Sequence, residues 1–244
     1  MHPRAGRYTT SGLRTSLLSV PGAVSAEAVG LRPVGEVMGC VVSQSEDVVS
    51  GLRRGYATAM DRLREEASAL GADGVLAISC TVTGVRATVR EFVVLGTAVR
   101  AVRGKRPARP FTTGLPGPDV AKLLLAGWVP VTLAIGIDGG AAYDLAMTDR
   151  PGAEAPMPTD LVTRVRAAAR AEFGAAVRES GADGGLVTST TLRAWALGNT
   201  GAAAVASVFG TAIARFGDGP AAGSRPVVPL AADPRRAGPS GHTP

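Results

Sequence analysis

The chain has 244 residues, of which 45% are hydrophobic and 19% charged, and its formal net charge is +6. This balance is typical of a soluble globular protein, and a count of only two cysteines, Cys40 and Cys80, excludes a disulfide framework. No segment approaches the roughly 20 apolar residues that a membrane-spanning helix needs, so no membrane span is predicted.

The first part of the chain predicts a short helix, a strand, a long helix and two further strands. Residues 21–29 have a weak helical pattern, and residues 34–42 have the pattern of a strand. The long helix is predicted from one apolar stripe, whose members recur at intervals of four and three residues: Tyr56, Met60, Leu63, Ala67 and Leu70. Gly71 ends this helix as its C-terminal cap. Residues 75–82 alternate in polarity and residues 91–102 follow them, which predicts a hairpin.

A short basic stretch follows the last of these strands. Removing its five positive charges from the net charge of +6 leaves +1, and no acidic residue lies among them: Arg100, Arg103, Lys105, Arg106 and Arg109. A nucleic-acid-binding domain is expected to carry a basic face across its fold, and the sequence shows no such face. The stretch is interpreted as a solvated linker, with a contact to phosphate or lipid headgroups as the alternative.

The second part of the chain repeats three landmarks of the first part in the same order. The matching segments are residues 15–39 with 112–136, residues 71–74 with 181–184, and residues 96–99 with 210–213. Three matches in order over about a hundred residues are strong evidence of duplication. The chain is therefore interpreted as two diverged copies of one small domain.

These landmarks set the predicted boundaries. The first copy is placed at residues 7–103, a basic linker at 104–110, the second copy at 111–217 and a disordered tail at 218–244. Each copy is predicted to have a short N-terminal helix and one long helix packed on a small, mainly antiparallel sheet, which is an α+β fold. A domain of about 100 residues is only marginally stable alone, which favours burial of more surface against a neighbour.

Several segments of the first copy resemble the YbjQ-like domain family, which is named for heavy-metal binding. They are LSV at residues 18–20, GLRPVGEVMG at 30–39, RLREEA at 62–67 with LGADGV at 70–75, and EFVVLGTAV at 91–99. The resemblance covers the first copy nearly end to end. The second copy resembles the family less, because it keeps the glycine landmarks but lacks the pair Glu65 and Glu66.

The resemblance implies an α+β fold that assembles into homo-oligomeric rings of five, and it brings no known reaction. For a chain with two copies, two arrangements remain open. Five chains stack two rings, one of each copy, or the copies alternate around one ring, which requires an even number of domains. A homo-oligomer is therefore expected.

The sequence offers few ligands for a metal. Cys40 and Cys80 are soft donors, but two thiols make only half of a tetrahedral zinc site, and neither recurs in the second copy. Cys80 also lies on the apolar face of its strand, where a thiol usually acts as a small core side chain. The only histidines, His2 and His242, lie near the chain ends. A divalent or soft heavy metal at a shared or intersubunit site of Cys40 and Cys80 is the alternative prediction, and no other cofactor is expected.

Carboxylates are the other candidate ligands, and each has a structural interpretation. Glu65 and Glu66 lie on the polar side of the long helix, which predicts solvated side chains. Asp73 and its partner Asp183 are expected to shape the turn between helix and strand. Coordination of a hard cation by these groups is the weaker alternative.

The sequence offers little for catalysis. No histidine lies in the predicted folded regions to act as a general base, and no serine elbow, phosphate loop or dinucleotide fingerprint is present. The prediction is a non-enzymatic, oligomeric binding or scaffold protein of the cytoplasm, with a ligand or protein partner at domain or subunit interfaces. A metal-binding or metal-responsive protein is the first alternative, and nucleic-acid binding through the linker is the second.

Overall fold

The protein has an α+β fold, as predicted. The computed structural model describes residues 15–104, 106–143, 156–198 and 201–216, and these form four helices and seven strands in two sheets. The predicted tail at 218–244, Lys105, His2 and His242 lie outside the described residues.

The first half contains a short helix, a strand, a long helix and a hairpin. Its elements are α1 (Val20–Ala28), β1 (Leu31–Gln44), α2 (Val48–Ala69), β2 (Gly74–Gly84) and β3 (Val89–Ala101). Helix α2 begins at an Asp47 cap, whose carboxylate accepts a hydrogen bond from the backbone nitrogen of Ser50 at 2.8 Å. Strand β3 lies between β1 and β2 and pairs antiparallel with both.

The second half has the same order of elements. After the two-residue strand β4 (Phe111–Thr112), it contains α3 (Gly117–Leu125), β5 (Trp128–Tyr143), α4 (Pro156–Glu179), β6 (Gly184–Leu197) and β7 (Gly201–Arg215). Sheet A has the strand order β1-β3-β2-β4, and sheet B has the order β5-β7-β6 with antiparallel pairing. Strand β4 joins sheet A by pairing parallel with β2, so the start of the second half completes the sheet of the first.

The turn after each long helix is built in the same way. Gly71 and Gly181 have φ angles of 64° and 72°, a left-handed conformation that glycine adopts without strain. The carboxylate of Asp73 accepts a hydrogen bond from the backbone nitrogen of Ala101, and Asp183 accepts one from Arg215, both at 2.8 Å. Each aspartate thus ties its helix-to-strand turn to the end of the last strand, in agreement with the predicted turn role.

Each long helix also crosses the first strand of its own sheet at a glycine. A Cβ atom on Gly39 would lie 1.7 Å from the carbonyl oxygen of Ala59 in α2, and one on Gly136 would lie 2.2 Å from that of Ala169 in α4. The backbones of helix and strand are therefore in direct contact in both halves. The halves share element order and crossing point, while their origin as diverged copies stays a prediction.

The sheets and long helices form successive layers in the order sheet A, α2, sheet B, α4. Ala59 and Leu63 of α2 lie over Gly39 of sheet A, whereas Tyr56 on another side of the helix contacts Phe209 of sheet B. One core cluster accordingly contains buried residues of both halves. A second cluster joins α4 to sheet B, and a third surrounds the short helices α1 and α3.

One acidic residue that was predicted to be solvated is buried. Glu66 is 0% exposed, and its Oε2 atom accepts a hydrogen bond from the backbone nitrogen of Met38 at 2.7 Å. Strand β1 is at the edge of sheet A, so this N–H group has no neighbouring strand to bond to among the described residues. The polar-side prediction is correct for the exposed Glu65 and wrong for Glu66, which satisfies the strand edge under α2.

The helix crossing predicts a large effect of a small substitution. Gly39→Ala places a methyl group against a backbone carbonyl that has no side chain to move aside, so we expect a loss of about 3 kcal/mol or more in the free energy of unfolding. Urea unfolding followed by circular dichroism measures this. Gly84→Ala is the matched control, because nothing lies within 4 Å of its added Cβ, and it should change stability by less than about 0.5 kcal/mol. Equal stability of the two variants would contradict the crossing.

Candidate binding site between the two halves

The centre of the interface between the halves is an aromatic cluster. Tyr56 of α2 makes edge-to-face contacts with Phe92 of sheet A and Phe209 of sheet B, with ring centroids 5.2 and 5.4 Å apart. Met60, Leu133 and the rest of the core cluster surround these rings. Tyr56 is 5% exposed, and burial raises its pKa to about 12, so the phenol stays neutral at physiological pH.

Polar contacts border this apolar centre on one side. Arg53 of α2 donates hydrogen bonds to the carboxylate of Glu172 at 2.6 Å and to the backbone oxygen of Ile137 at 2.7 Å. About three turns further along α2, Arg64 donates to the hydroxyl of Thr132 at 3.2 Å. Because these groups are partly exposed, the pairs fix the register of α2 on β5 more than they add stability.

The start of the second half adds a further contact to this interface. The Thr112 hydroxyl accepts a hydrogen bond from the backbone nitrogen of Leu133 at 2.9 Å, and the Thr113 and Thr211 hydroxyls lie 2.8 Å apart. Helices α1 and α3 meet where a Cβ atom on Gly117 would lie 2.0 Å from the carbonyl oxygen of Gly22. The two halves are thus joined by side-chain packing, strand pairing and helix contact at once.

A cavity of about 890 Å³ opens beside α2, where the two sheets are no longer separated by the helix. Strand β2 and the β2–β3 hairpin form one wall, and strands β6 and β7 form the other. The lining is about half apolar, with Leu52, Tyr56, Ile78, Val205 and Phe209 among its residues. Volumes of about 300–1,000 Å³ are typical of small-molecule sites, and such sites often lie between domains.

The charge of this cavity is of one sign. Arg86 and Arg90 line it from the first half and Arg193 from the second, while no aspartate or glutamate is among the lining residues. Hydroxyl groups of serine and threonine complete the polar part of the walls. The combination of apolar residues and three arginines in this cavity was not predicted, because its members are distant in sequence.

The structure does not bring Cys40 and Cys80 together. Cys40 on β1 is opposite Val93 of β3, and Cys80 on β2 is opposite Val94. Successive residues of a strand point to opposite faces, so β3 separates the two thiols and they lie on opposite faces of sheet A. Cys80 faces α2 and the cavity, whereas Cys40 lies on the outer face, 3.7 Å from Glu91 Oε1. A metal site shared by both within one chain is not formed, and their role as ligands stays a prediction.

The surroundings of both thiols favour the protonated form. Burial raises the pKa of Cys80 to about 12. Burial and the adjacent carboxylate of Glu91 also raise the pKa of Cys40, against a smaller opposing effect of Arg62. Since the thiolate is the form that binds metals, proton competition weakens any site built on them. No group of three or more His, Cys, Asp or Glu side chains with metal-binding geometry occurs among the described residues.

Two arginines of the basic stretch, Arg100 and Arg106, make contacts within the fold. The Arg100 guanidinium donates hydrogen bonds to the carbonyl oxygens of Leu70 and Gly71 at 2.6 and 2.9 Å, so it caps the C-terminal end of α2. Arg106 lies 3.8 Å from the Asp73 carboxylate. The interpretation as an entirely solvated linker therefore holds only for the remaining residues of the stretch that the structure describes.

Comparisons with known proteins match the first half to a family. Residues 21–102, which are 82 of the 244 residues, match the YbjQ family model, described as "Putative heavy-metal-binding". The first half resembles this family. The matched residues run from α1 to the end of β3, so the predicted resemblance of the second half stays a prediction. No curated protein and no solved structure matches the chain.

Among the described residues, no helix combines the length and the apolar character needed to cross a membrane.

The aromatic cluster predicts how strongly the halves depend on one side chain. Tyr56→Ala removes a buried ring that contacts both sheets, so we expect a loss of about 3–5 kcal/mol in the free energy of unfolding. Tyr56→Phe is the control, because the hydroxyl has no hydrogen bond to the described residues, and it should change stability by less than about 1 kcal/mol. Urea titrations of the two variants decide this, and a tolerated alanine would contradict the packing of α2 on sheet B.

The thiol environments predict slow alkylation. With a pKa of about 12, only about one Cys80 side chain in 10,000 is a thiolate at pH 8. The iodoacetamide rate at Cys80, followed by peptide mass spectrometry, should rise about tenfold per pH unit from pH 7 to 10. A free-cysteine peptide run in parallel should reach its plateau near pH 9. A plateau for Cys80 in the same range would contradict the buried, neutral thiol.

Proposed function

We propose that the protein is a non-enzymatic, oligomeric binding protein that holds a ligand or partner at interfaces between its domains or subunits. The observation that carries this proposal is the position of α2, which packs on the outer face of the other half's sheet. Helix α4 is the equivalent helix of the second half, and sheet A has the equivalent outer face. Each chain thus presents both sides of an interface that it already forms once internally.

The outer face of sheet A, on the side opposite α2, has the composition of an interface. Its residues in β1 and β3 are half-buried and largely apolar: Met38, Cys40, Val93 and Leu95. The equivalent positions in sheet B line the surface that α2 covers: Ile135, Ile137, Ser207 and Phe209. Helix α4 of a second chain therefore fits the outer face of sheet A in the manner of α2 on sheet B. A contact between two different surfaces of the same chain closes into rings or extends into filaments.

The helix side of this second interface is basic. The sequences of α2 and α4 are aligned by matching Ala59 with Ala169. These two residues lie over Gly39 and Gly136, where each helix crosses its strand. By this alignment, the positions of Tyr56 and Met60 are taken in α4 by Arg166 and Arg170, and both arginines are exposed.

The sheet side of the second interface has acidic residues at two of the equivalent positions. Where sheet B has the buried Leu133 and Val205, sheet A has Glu36 and Glu91. Apolar side chains on both sides of the internal interface are thus replaced by arginines on one side and glutamates on the other. Opposite charges favour the contact between α4 and sheet A, and they disfavour incorrect pairings.

Two further observations support the proposal. Strand β2 receives the added strand β4, whereas β6, the equivalent strand of sheet B, receives none within the described part of the chain. The resemblance of the first half to the YbjQ family also implies ring assembly. Because Cys40 and Cys80 are both unpaired, we place the protein in the reducing cytoplasm.

Metal binding is the second candidate, and the description of the matched family favours it. The described residues offer it Cys40, next to Glu91 on the outer face of sheet A, where another chain is proposed to dock. A metal there would be held between subunits, with the remaining ligands supplied by the neighbouring chain. The raised pKa of the Cys40 thiol is the argument against this site.

The charge exchange gives the experiment that tests the oligomer. In native mass spectrometry, we expect a discrete oligomer for the wild-type chain, and monomers for the double variant Arg166→Glu with Arg170→Glu. Adding Glu36→Arg and Glu91→Arg to the same chain should restore the oligomer, since the charges are again opposite. Arg178→Glu is the control on α4, because its equivalent in α2, Ser68, is exposed and lies outside the internal interface. A monomeric wild-type chain would overturn the proposal.

The same spectra separate the two candidate functions. Recorded before and after addition of zinc, copper(I) and nickel, they should show no fixed number of metal ions per chain. A fixed stoichiometry that disappears in the variant Cys40→Ala with Cys80→Ala would instead support metal binding.

A further inference from the structure

We infer that the cavity between the halves binds a small organic anion with an apolar body, of the kind in which a carboxylate or phosphate group is attached to a hydrocarbon chain or ring. This inference deepens the proposed function, since it names the class of ligand held at the domain interface.

The cavity forms where helix α2 leaves part of sheet B uncovered. Helix α2 covers the outer face of sheet B over β5 and part of β7, but it does not reach β6. The inward-facing residues of β6, Thr191, Arg193 and Trp195, are therefore exposed to the cavity and not buried against the helix. The space between β2 and β6 is therefore accessible from solvent and has room for a ligand.

The charged side chains that line the cavity are all positive. Three guanidinium groups, those of Arg86, Arg90 and Arg193, line a volume that contains no carboxylate among its lining residues. No hydrogen bond or ion pair joins any of the three to the described residues. Cations of one sign that line a cavity attract an anion, and arginine binds carboxylates and phosphates through two parallel hydrogen bonds.

The inner surface selects the rest of the molecule. Trp195 offers an aromatic face that is 41% exposed and Phe209 is half-buried, whereas Leu52, Ile78 and Val205 line the cavity as buried core residues. Inorganic phosphate or sulfate would leave this surface uncovered, and a neutral hydrocarbon would leave the arginines without a partner. The combination therefore favours an amphipathic anion over either.

Residues from both walls of the cavity face the same space. Burial is the main cause that raises the pKa of Tyr56 in the first half, and the positive charge of Arg193 in the second half partly opposes it. Tyr56 on α2 and Arg193 on β6 both line the cavity, so residues of the two halves face the same space.

The test uses the full chain and dodecanoate, below its micelle concentration, as the probe. Isothermal titration calorimetry should show one dodecanoate per chain, with dodecan-1-ol and dodecyltrimethylammonium binding at least about tenfold more weakly because they lack the anion. Arg90→Gln and Arg193→Gln should each weaken dodecanoate by about tenfold or more. Arg178→Gln, an exposed arginine on α4 away from the cavity, should leave the Kd unchanged.

A variant that blocks the cavity without changing its charge keeps the test independent of stability. Thr191→Trp places an indole into the cavity from β6, and it should abolish dodecanoate binding while circular dichroism and urea unfolding stay close to wild type. Binding of dodecanoate and dodecan-1-ol with equal affinity, or undiminished binding in the arginine and Thr191→Trp variants, would overturn the inference. So would retention on phosphatidylglycerol vesicles without binding of free dodecanoate, since that would indicate a membrane surface as the partner.

This outcome is separable from that of the oligomer experiment, because the cavity lies within one chain. Dodecanoate binding to a monomeric wild-type chain would support the cavity and overturn the ring. An oligomer that binds no dodecanoate would do the opposite.

Discussion

The structure depends on one helix that is buried from two directions. Helix α2 contacts sheet A through Ala59 and Leu63 and sheet B through Tyr56, so it belongs to the cores of both halves. The first contact requires that Gly39 have no side chain, because the backbones of helix and strand are in direct contact there. The second brings Phe92 and Phe209 to the same tyrosine ring. A domain of about 100 residues buries little surface in its own core and is only marginally stable alone. Because both halves pack on α2, each half buries more surface than it would by itself.

The same placement explains where the protein has room for a ligand. A helix is narrower than the three-stranded sheet that it covers, so a layer made of one helix leaves part of sheet B without cover. On that part lies Arg193, which an apolar core would not tolerate, and it lines the same cavity as Phe209 and Val205 at the border of the area that α2 covers. The second helix, α4, has sheet B on one side only and carries arginines on the other. The different roles of the two helices thus follow from their different positions in the stack of layers.

Local features of the fold could be predicted from the sequence, and relations between distant segments could not. The apolar stripe from Tyr56 to Leu70, the left-handed Gly71 and the turn aspartate Asp73 were predictable, because each depends on neighbours within a few residues. The single apolar stripe predicted one buried face of α2, whereas the helix is buried on two. Glu66 was assigned to the surface for that reason. The positions of Cys40 and Cys80 depended on strand order, since β3 inserts between their strands. The cavity arginines come from the β2–β3 hairpin and from β6, about a hundred residues apart, and no local signal connects them.

The uncovered strand β6 has a consequence for how the chain behaves while it folds. It is 14 residues long, most of its residues are exposed, and among the described residues it forms hydrogen bonds along one edge only. A long free edge of this kind is a template for unplanned pairing with any extended segment, including another β6. Arg193, in the C-terminal half of β6, resists such pairing because two copies paired there would bring like charges together. The arginine that faces the cavity therefore also opposes aggregation during synthesis and folding.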